Sequence, residues 1–335
     1  MTATFTATPP HISTVTAASR RRRHLTRAAA ALTAVVALAW PALVGPYPVT
    51  VAATALVFAV LAVSTHLLVG VAGLPAFGQA AYFGVGAYTA ALLARAGHTL
   101  AVEQLAAATV AAGIIGAVTA PIVLRTRGTA FLMATLAVQS LAATAASQWR
   151  TVTGGDEGIS TPSVVLWPGG PALTAPAFVY WWVLAVTALA GLGVAVLLRS
   201  RLILVMRGIG GHEPRMTALG HHVTARLIAG YTIAAALAGT GGALLVTVNQ
   251  YISPADLGFD IASLALLAAT IGAGSTIGAA IGAVLIVAVR DAAGISSGGA
   301  TPLLLGVLFV LVAYHRPALA TAARQLGRFR EAGRD

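Results

Sequence analysis

The sequence predicts an all-α fold: a polytopic integral membrane protein of about ten transmembrane helices with both termini cytoplasmic. Three observations predict it. Of 335 residues, 58% are hydrophobic and 9% charged, and the mean hydropathy is +0.87; a soluble domain carries about a quarter charged residues. Apolar runs near the ~20 residues that span a bilayer recur along the chain. Arginines sit at the ends of those runs, as the positive-inside rule expects.

The elements follow in order. Residues 1–27 are rich in Thr, Ala and Pro and close on Arg20, Arg21, Arg22, Arg23, His24 and Arg27, which reads as a basic cytoplasmic tail. A basic segment before an apolar one also fits a cleaved signal peptide. Here the leading region is long and no small-residue cleavage site closes the apolar run, so an uncleaved first helix is expected. The transmembrane domain covers 28–316, with apolar runs near 28–44, 48–69, 78–95, 101–124, 128–147, 177–198, 226–247, 259–289 and 301–314. An extracytoplasmic loop is expected at 148–176, a cytoplasmic loop at 199–226 and a cytoplasmic tail at 317–335.

The run 259–289 is too long for one span. With the first tail inside, Arg125, Arg127 and the arginine-rich stretch 199–226 also fall inside. A single span over 259–289 would leave Arg316, Arg324, Arg328, Arg330 and Arg334 outside, against the rule. Division at Gly274–Gly278 into two short helices returns that tail to the cytoplasm.

Composition excludes several functions. All twenty basic residues are arginine, so the chain has neither a P-loop lysine nor a Schiff-base amine. If ATP drives this protein, another chain binds it. There is no cysteine, hence no disulfide, thiolate nucleophile or Cys-ligated metal. The net charge of +11 lies at helix ends and forms no face for nucleic acid. No acid or base falls mid-span in the later runs: Glu103, Asp256, Asp260, Arg290 and Asp291 mark ends. Proton relays need such groups, which argues against an ion-coupled carrier. His66, the near exception, reads as a packed neutral side chain. The adjacent His221 and His222 cannot share a helical face, and no metal site, cofactor or catalytic residue is expected.

Several segments combine features worth weighing. The run from Ala76 to Thr89 places Gly78, Gln79, Tyr82, Gly86 and Tyr88 at membrane depth. A buried amide must find a partner or face water, so this run is either the wall of a solute pathway or small-residue helix packing. Thr135 and Gln139 add polar groups at similar depth. Gly274, Gly278 and Gly282 repeat the GxxxG spacing; without a βαβ context this means close helix packing or a tight turn, not a dinucleotide loop. Arg207 to Gly220 predicts a short helix on the cytoplasmic face, with Pro214 in its first turn, Glu213 at its positive end and Gly220 as terminator. It is either a helix docking into another protein or a solvated loop. Thr151 to Ile159 opens a loop of about 28 residues, longer than most connections. Its Gly154, Gly155, Asp156 and Glu157 form a partner contact or a solvated turn.

Together these segments resemble the M-type (LivM-like) permease subunit of branched-chain amino-acid ABC importers, over roughly 45–320. FGQAAYFGVGAYT (Phe77–Thr89) is similar to the family's SFGQAAFFGIGAYT, RGTAFLMATLA (Arg127–Ala137) to RGxYFAxxTLA, TGGDEGI to TGGxxGI, and Ser253-Pro254 with IGAGSTIGAAIGA to SP and GGxGTxxGPxxGA. Arg207 to Gly220 is similar to a coupling-loop pattern, RxIRxxExRAxALG, at Arg207, Ile209, Glu213, Arg215, Ala218, Leu219 and Gly220. Gly210 replaces a basic residue, Met216 a small one, Ala130 an aromatic, Ile271 a glycine and Ala279 a proline.

The resemblance implies a multi-pass protein of the bacterial plasma (inner) membrane, in contact with membrane lipid. Expected partners are a second, H-type permease, two ATP-binding subunits and an extracytoplasmic solute-binding protein. Arg207, Glu213, Arg215, Ala218 and Gly220 would couple to the ATPase. Gly78, Gln79, Tyr82, Gly86, Tyr88, Thr135 and Gln139 would line the pathway, and Gly154, Gly155, Asp156 and Glu157 would dock the binding protein. The solute implied is a branched-chain amino acid or a similar small solute, such as urea or an amide. A stand-alone channel or secondary transporter is the alternative.

Overall fold

The computed structural model describes residues 36–167, 170, 172–272, 274–296 and 306–307. The predicted tails 1–27 and 317–335, and nearly all of the run 301–314, lie outside the described residues. The chain divides into two units, Met1–Val49 and Thr50–Asp335. In the first, residues 36–43 are helical (α1) and helix α2 begins at Pro46.

The second unit is built on helices, and each predicted run from 48–69 to 259–289 finds at least one. These are α2 (Pro46–His66), closed by a π-helical turn at Leu67–Val71, α3 (Gln79–Arg95), α4 (Ala101–Val123), α5 (Thr129–Gln148), the helical turn α6 (Arg150–Thr153), α7 (Pro176–Leu197), α8 (Arg201–Ala218), α9 (Val223–Asn249), α10 (Phe259–Ile271) and α11 (Thr276–Ser296). Six helical segments among the described residues are long and apolar enough to cross a membrane. The fold is not wholly helical. Ile159–Ser160 (β1) pairs antiparallel with Tyr251–Ile252 (β2), Ile159 opposite Ile252. Two residues per strand carry too little periodicity to be read from sequence.

The apolar run 259–289 divides as the arginines required, slightly earlier than expected. Helix α10 stops at Ile271, Gly274 turns the chain at φ +82°, and α11 begins at Thr276, so Gly278 lies inside the second helix. The two helices touch through backbone. A β-carbon on Gly272 would come within 2.4 Å of the Ala279 nitrogen, and one on Gly278 within 2.5 Å of the Gly272 carbonyl. Ile271 and Ala279, two of the departures from the family pattern, both line this seam.

Helices α2 and α9 form the centre: their apolar windows are 72% and 67% buried, against 22% for α5. Small residues bring α9 onto α3 and α4. A β-carbon on Gly86 would lie 2.2 Å from the Gly239 carbonyl, and one on Gly239 would meet the Ala112 side chain at 2.3 Å. Thr109 and Thr240 hydroxyls bond at 2.9 Å across the α4–α9 seam. In a bilayer, where apolar burial gives helices no preference for one another over lipid, such close packing and hydrogen bonding hold the bundle together.

Candidate functional site

Three groups of predicted residues sit on this frame, one in the bundle and one at each end of the ~40 Å length of α9. Inside, α3 begins with Gly78 and Gln79, and Gln79 is 1% exposed. The Ser64 hydroxyl on α2 lies 2.9 Å from Gln79 Oε1 and 2.7 Å from the Ala234 carbonyl on α9, while Gln79 Nε2 has no partner. A hydroxyl has one proton to give. Turning the amide end for end lets Nε2 donate to Ser64 while Ser64 donates to Ala234, and then Oε1 is the atom left over. In either orientation one polar atom of Gln79 is buried without a bond.

One turn further along α3, the Tyr82 hydroxyl meets Thr119 at 2.5 Å and the Tyr231 hydroxyl at 3.0 Å, with the two rings edge to face. Thr135 on α5 accepts the Phe77 N–H at 3.1 Å and lies against Gly78. Gln139, one turn on, donates to the Leu257 carbonyl at 2.5 Å and leaves its Oε1 unbonded; the Tyr88 hydroxyl is likewise buried and unbonded. The structure thus gathers Gly78, Gln79, Tyr82 and Thr135 with Ser64, Thr119 and Tyr231. Gly86 stands apart from them on the Gly239 backbone. Sequence reading missed Ser64, Thr119 and Tyr231 because a single hydroxyl on an apolar helix gives no signal of the helix it faces. His66 is buried with its imidazole over Gly70, and its Nδ1 is unbonded.

At one end of α9 lies the predicted short helix, with a corrected start. Residues Arg207–Gly211 continue the long helix from Arg201; the backbone breaks at His212 (φ −162°, ψ 92°), and a separate turn of helix follows from Glu213. Proline explains the shift, because Pro214 cannot donate to the preceding turn and is tolerated in a first turn. The end was read correctly. Gly220 at φ +81° donates to the Thr217 carbonyl and His221 to Met216, the paired bonds of a Schellman cap. Glu213, Pro214, Thr217 and Ala218 line a shallow open depression, and Arg215 is exposed.

This helix is tied to the bundle twice. Arg127, in the loop between α4 and α5, donates from Nε to Glu213 Oε2 at 2.8 Å and from Nη2 to Oε1 at 2.9 Å. Those hydrogen bonds hold the Glu213 carboxyl below the usual carboxylate range. Upstream of the break, Gly210 rests on the peptide between Ala72 and Gly73, just past the π-helical turn. The other family departure here is Met216, whose sulfur lies over Gly208.

At the opposite end of α9, the predicted loop is built rather than loose. Gly154, Gly155 and Gly158 all adopt positive φ around a 3₁₀ turn, Gly155–Glu157, that leaves Asp156 and Glu157 exposed. Strand β1 then pairs with β2, and the Tyr251 hydroxyl donates to the Glu157 carbonyl at 2.8 Å. Directly after β2, the Asp256 carboxylate accepts from the Ser253 N–H and hydroxyl, capping the 3₁₀ turn Pro254–Leu257. The TGGDEGI and Ser253-Pro254 motifs, about ninety positions apart in sequence, therefore form one surface element. Among the described residues no group of His, Cys, Asp or Glu is placed to hold a metal.

The family described as "Branched-chain amino acid transport system / permease component" matches residues 47–313. The high-affinity branched-chain amino acid transport system permease protein LivM of Salmonella typhimurium strain LT2 is 26% identical over 309 residues, covering 84% of this chain and 72% of that protein. LivM of Escherichia coli K12 is 26% identical over 306 residues with the same coverage. No solved structure matches the chain significantly. The chain belongs to the permease-component family of branched-chain amino acid transport systems and is a multi-pass membrane protein.

Proposed function

We propose that this chain forms half of the translocation pore of an ATP-driven importer in the bacterial inner membrane, paired with a second, H-type permease and carrying a branched-chain amino acid or a similar small solute. The observation that carries the reading is the short helix from Glu213 to Ala218. It is terminated at both ends, exposed along Pro214, Arg215, Thr217 and Ala218, and has no core of its own to cover. A helix so presented suits a groove on a separate ATP-binding subunit, which the missing lysine also demands. ATP-driven closure of two such subunits would move it and rock the bundle, exposing the pathway alternately to each side.

In this reading the built loop around Asp156 and Glu157 lies outside and receives a solute-binding protein. Both termini and the loop 199–226 are cytoplasmic, with about ten spans in all. The solute passes Gln79, Tyr82, Tyr88, Thr135 and Gln139, of which Gln79, Tyr88 and Gln139 keep polar atoms without partners that offer bonds. Gly78 lies against Tyr231 and Thr135 in this pathway, and Gly86 lets α3 close on α9 behind it. Reconstitution tests the whole: the chain with a second permease, two ATPases and a leucine-loaded binding protein takes up leucine only with ATP. Uptake by this chain alone, without ATP, would establish the stand-alone channel or carrier instead.

A further inference from the structure

We infer that Arg127 and Glu213 act as one strut that carries movement of the short helix into α5, a role that rests on this helix facing the ATPase. Four contacts make Arg127 a junction. Besides both oxygens of Glu213, its Nη1 donates to the Leu124 and Thr126 carbonyls at the end of α4. A guanidinium there meets the negative end of that helix and satisfies carbonyls that have no intrahelical partner. Its planar fork matches a carboxylate bidentately, so the pair fixes orientation as well as distance.

The far side of the junction is α5, which starts two residues on at Thr129. Thr135 and Gln139, its only buried polar side chains among the described residues, bond to the Phe77 N–H at the start of α3 and to the Leu257 carbonyl just before α10. A displacement of Glu213 therefore reaches α5 through Arg127 and Gly128, and α5 carries it to the residues beside Gln79. It also follows that Glu213 is already engaged inside its own chain, leaving Pro214, Arg215, Thr217 and Ala218 to meet a partner.

The chain has no cysteine, so Ala130→Cys places a single thiol on the exposed first turn of α5. In the full complex, ATP with vanadate should change the rate at which maleimide labels that thiol. Arg127→Gln, Glu213→Gln and the double variant should each abolish the change, the double no more than either single, with the ATPases still co-purifying; Arg127→Lys should keep part of it. Survival of the change in Arg127→Gln overturns the strut, as do effects of the two single variants that add, or a labelling rate in the parent that ATP does not alter. ATPases that fail to co-purify with the parent chain reject the importer reading itself.

Discussion

Gly210 and Gly73 meet backbone to backbone: a β-carbon on Gly210 would lie 2.8 Å from the Ala72 carbonyl carbon, and one on Gly73, which holds a φ of +69°, 3.2 Å from the Gly210 oxygen. The related pattern carries a basic residue at this position, so glycine here marks a closer seating of α8 on the turn that ends α2. Gly210→Ala should cost ~1–3 kcal/mol by overpacking and lower the melting temperature of the purified chain. Gly211→Ala, with open space around it, should do neither. Equal melting temperatures for the two variants would show that the contact is not tight.

Gln79→Leu tests the pathway. Because one polar atom of this amide is already unbonded, replacing it with an apolar group of similar size leaves Ser64 free to bond Ala234 alone. Stability should hold or rise, since burying an unsatisfied amide costs ~1–3 kcal/mol. Uptake by the reconstituted complex should fall while the subunits still assemble. Transport at the parent rate would remove Gln79 from the pathway.

Much of this architecture was legible because the membrane enforces it. Apolar length located the long apolar helices, though not α6 or α8, and the arginines required a break in 259–289 that the Gly272–Ser275 turn supplies. The Gly220 cap was legible because termination chemistry is local. What stayed hidden were partners across sequence. Neither Arg127 nor Glu213 carries a mark of the other, eighty-six positions away. Ser64 gives no hint of Gln79, and TGGDEGI none of Tyr251. The start of the short helix was misplaced for a different reason. Pro214 belongs to a first turn and so calls for a break just before it, at His212, while Arg207–Gly211 belongs to the helix upstream.

Gly158→Ala tests the outer element. Its φ of +70° and the 2.2 Å from a β-carbon to the Ile252 carbonyl leave no conformation that keeps β1 against β2. Stimulation of ATP hydrolysis by a leucine-loaded binding protein should be lost, while hydrolysis without that protein is unchanged. Tyr251→Phe removes only the bond to Glu157, worth ~0.5–1.5 kcal/mol, and should weaken the stimulation less. Full stimulation in Gly158→Ala would detach this loop from docking.

The Arg127–Glu213 pair sets a pH dependence whose sign follows from the direction of the shift. Arg127 lowers the folded-state pKa of Glu213 below its ordinary value, so the pair's stabilisation is complete above that ordinary value. It is lost as pH falls through the depressed one. With both side chains about one-third exposed, at 35% and 36%, the contribution should stay below ~1 kcal/mol and shrink with salt. The melting temperature of the parent should exceed that of Glu213→Gln by a constant margin while pH stays above the ordinary carboxylate value, and the margin should close as pH falls through the depressed one. A margin that grows on acidification would mean that Glu213 is stabilised in its protonated form, and that the ion pair is not what holds the short helix to α5.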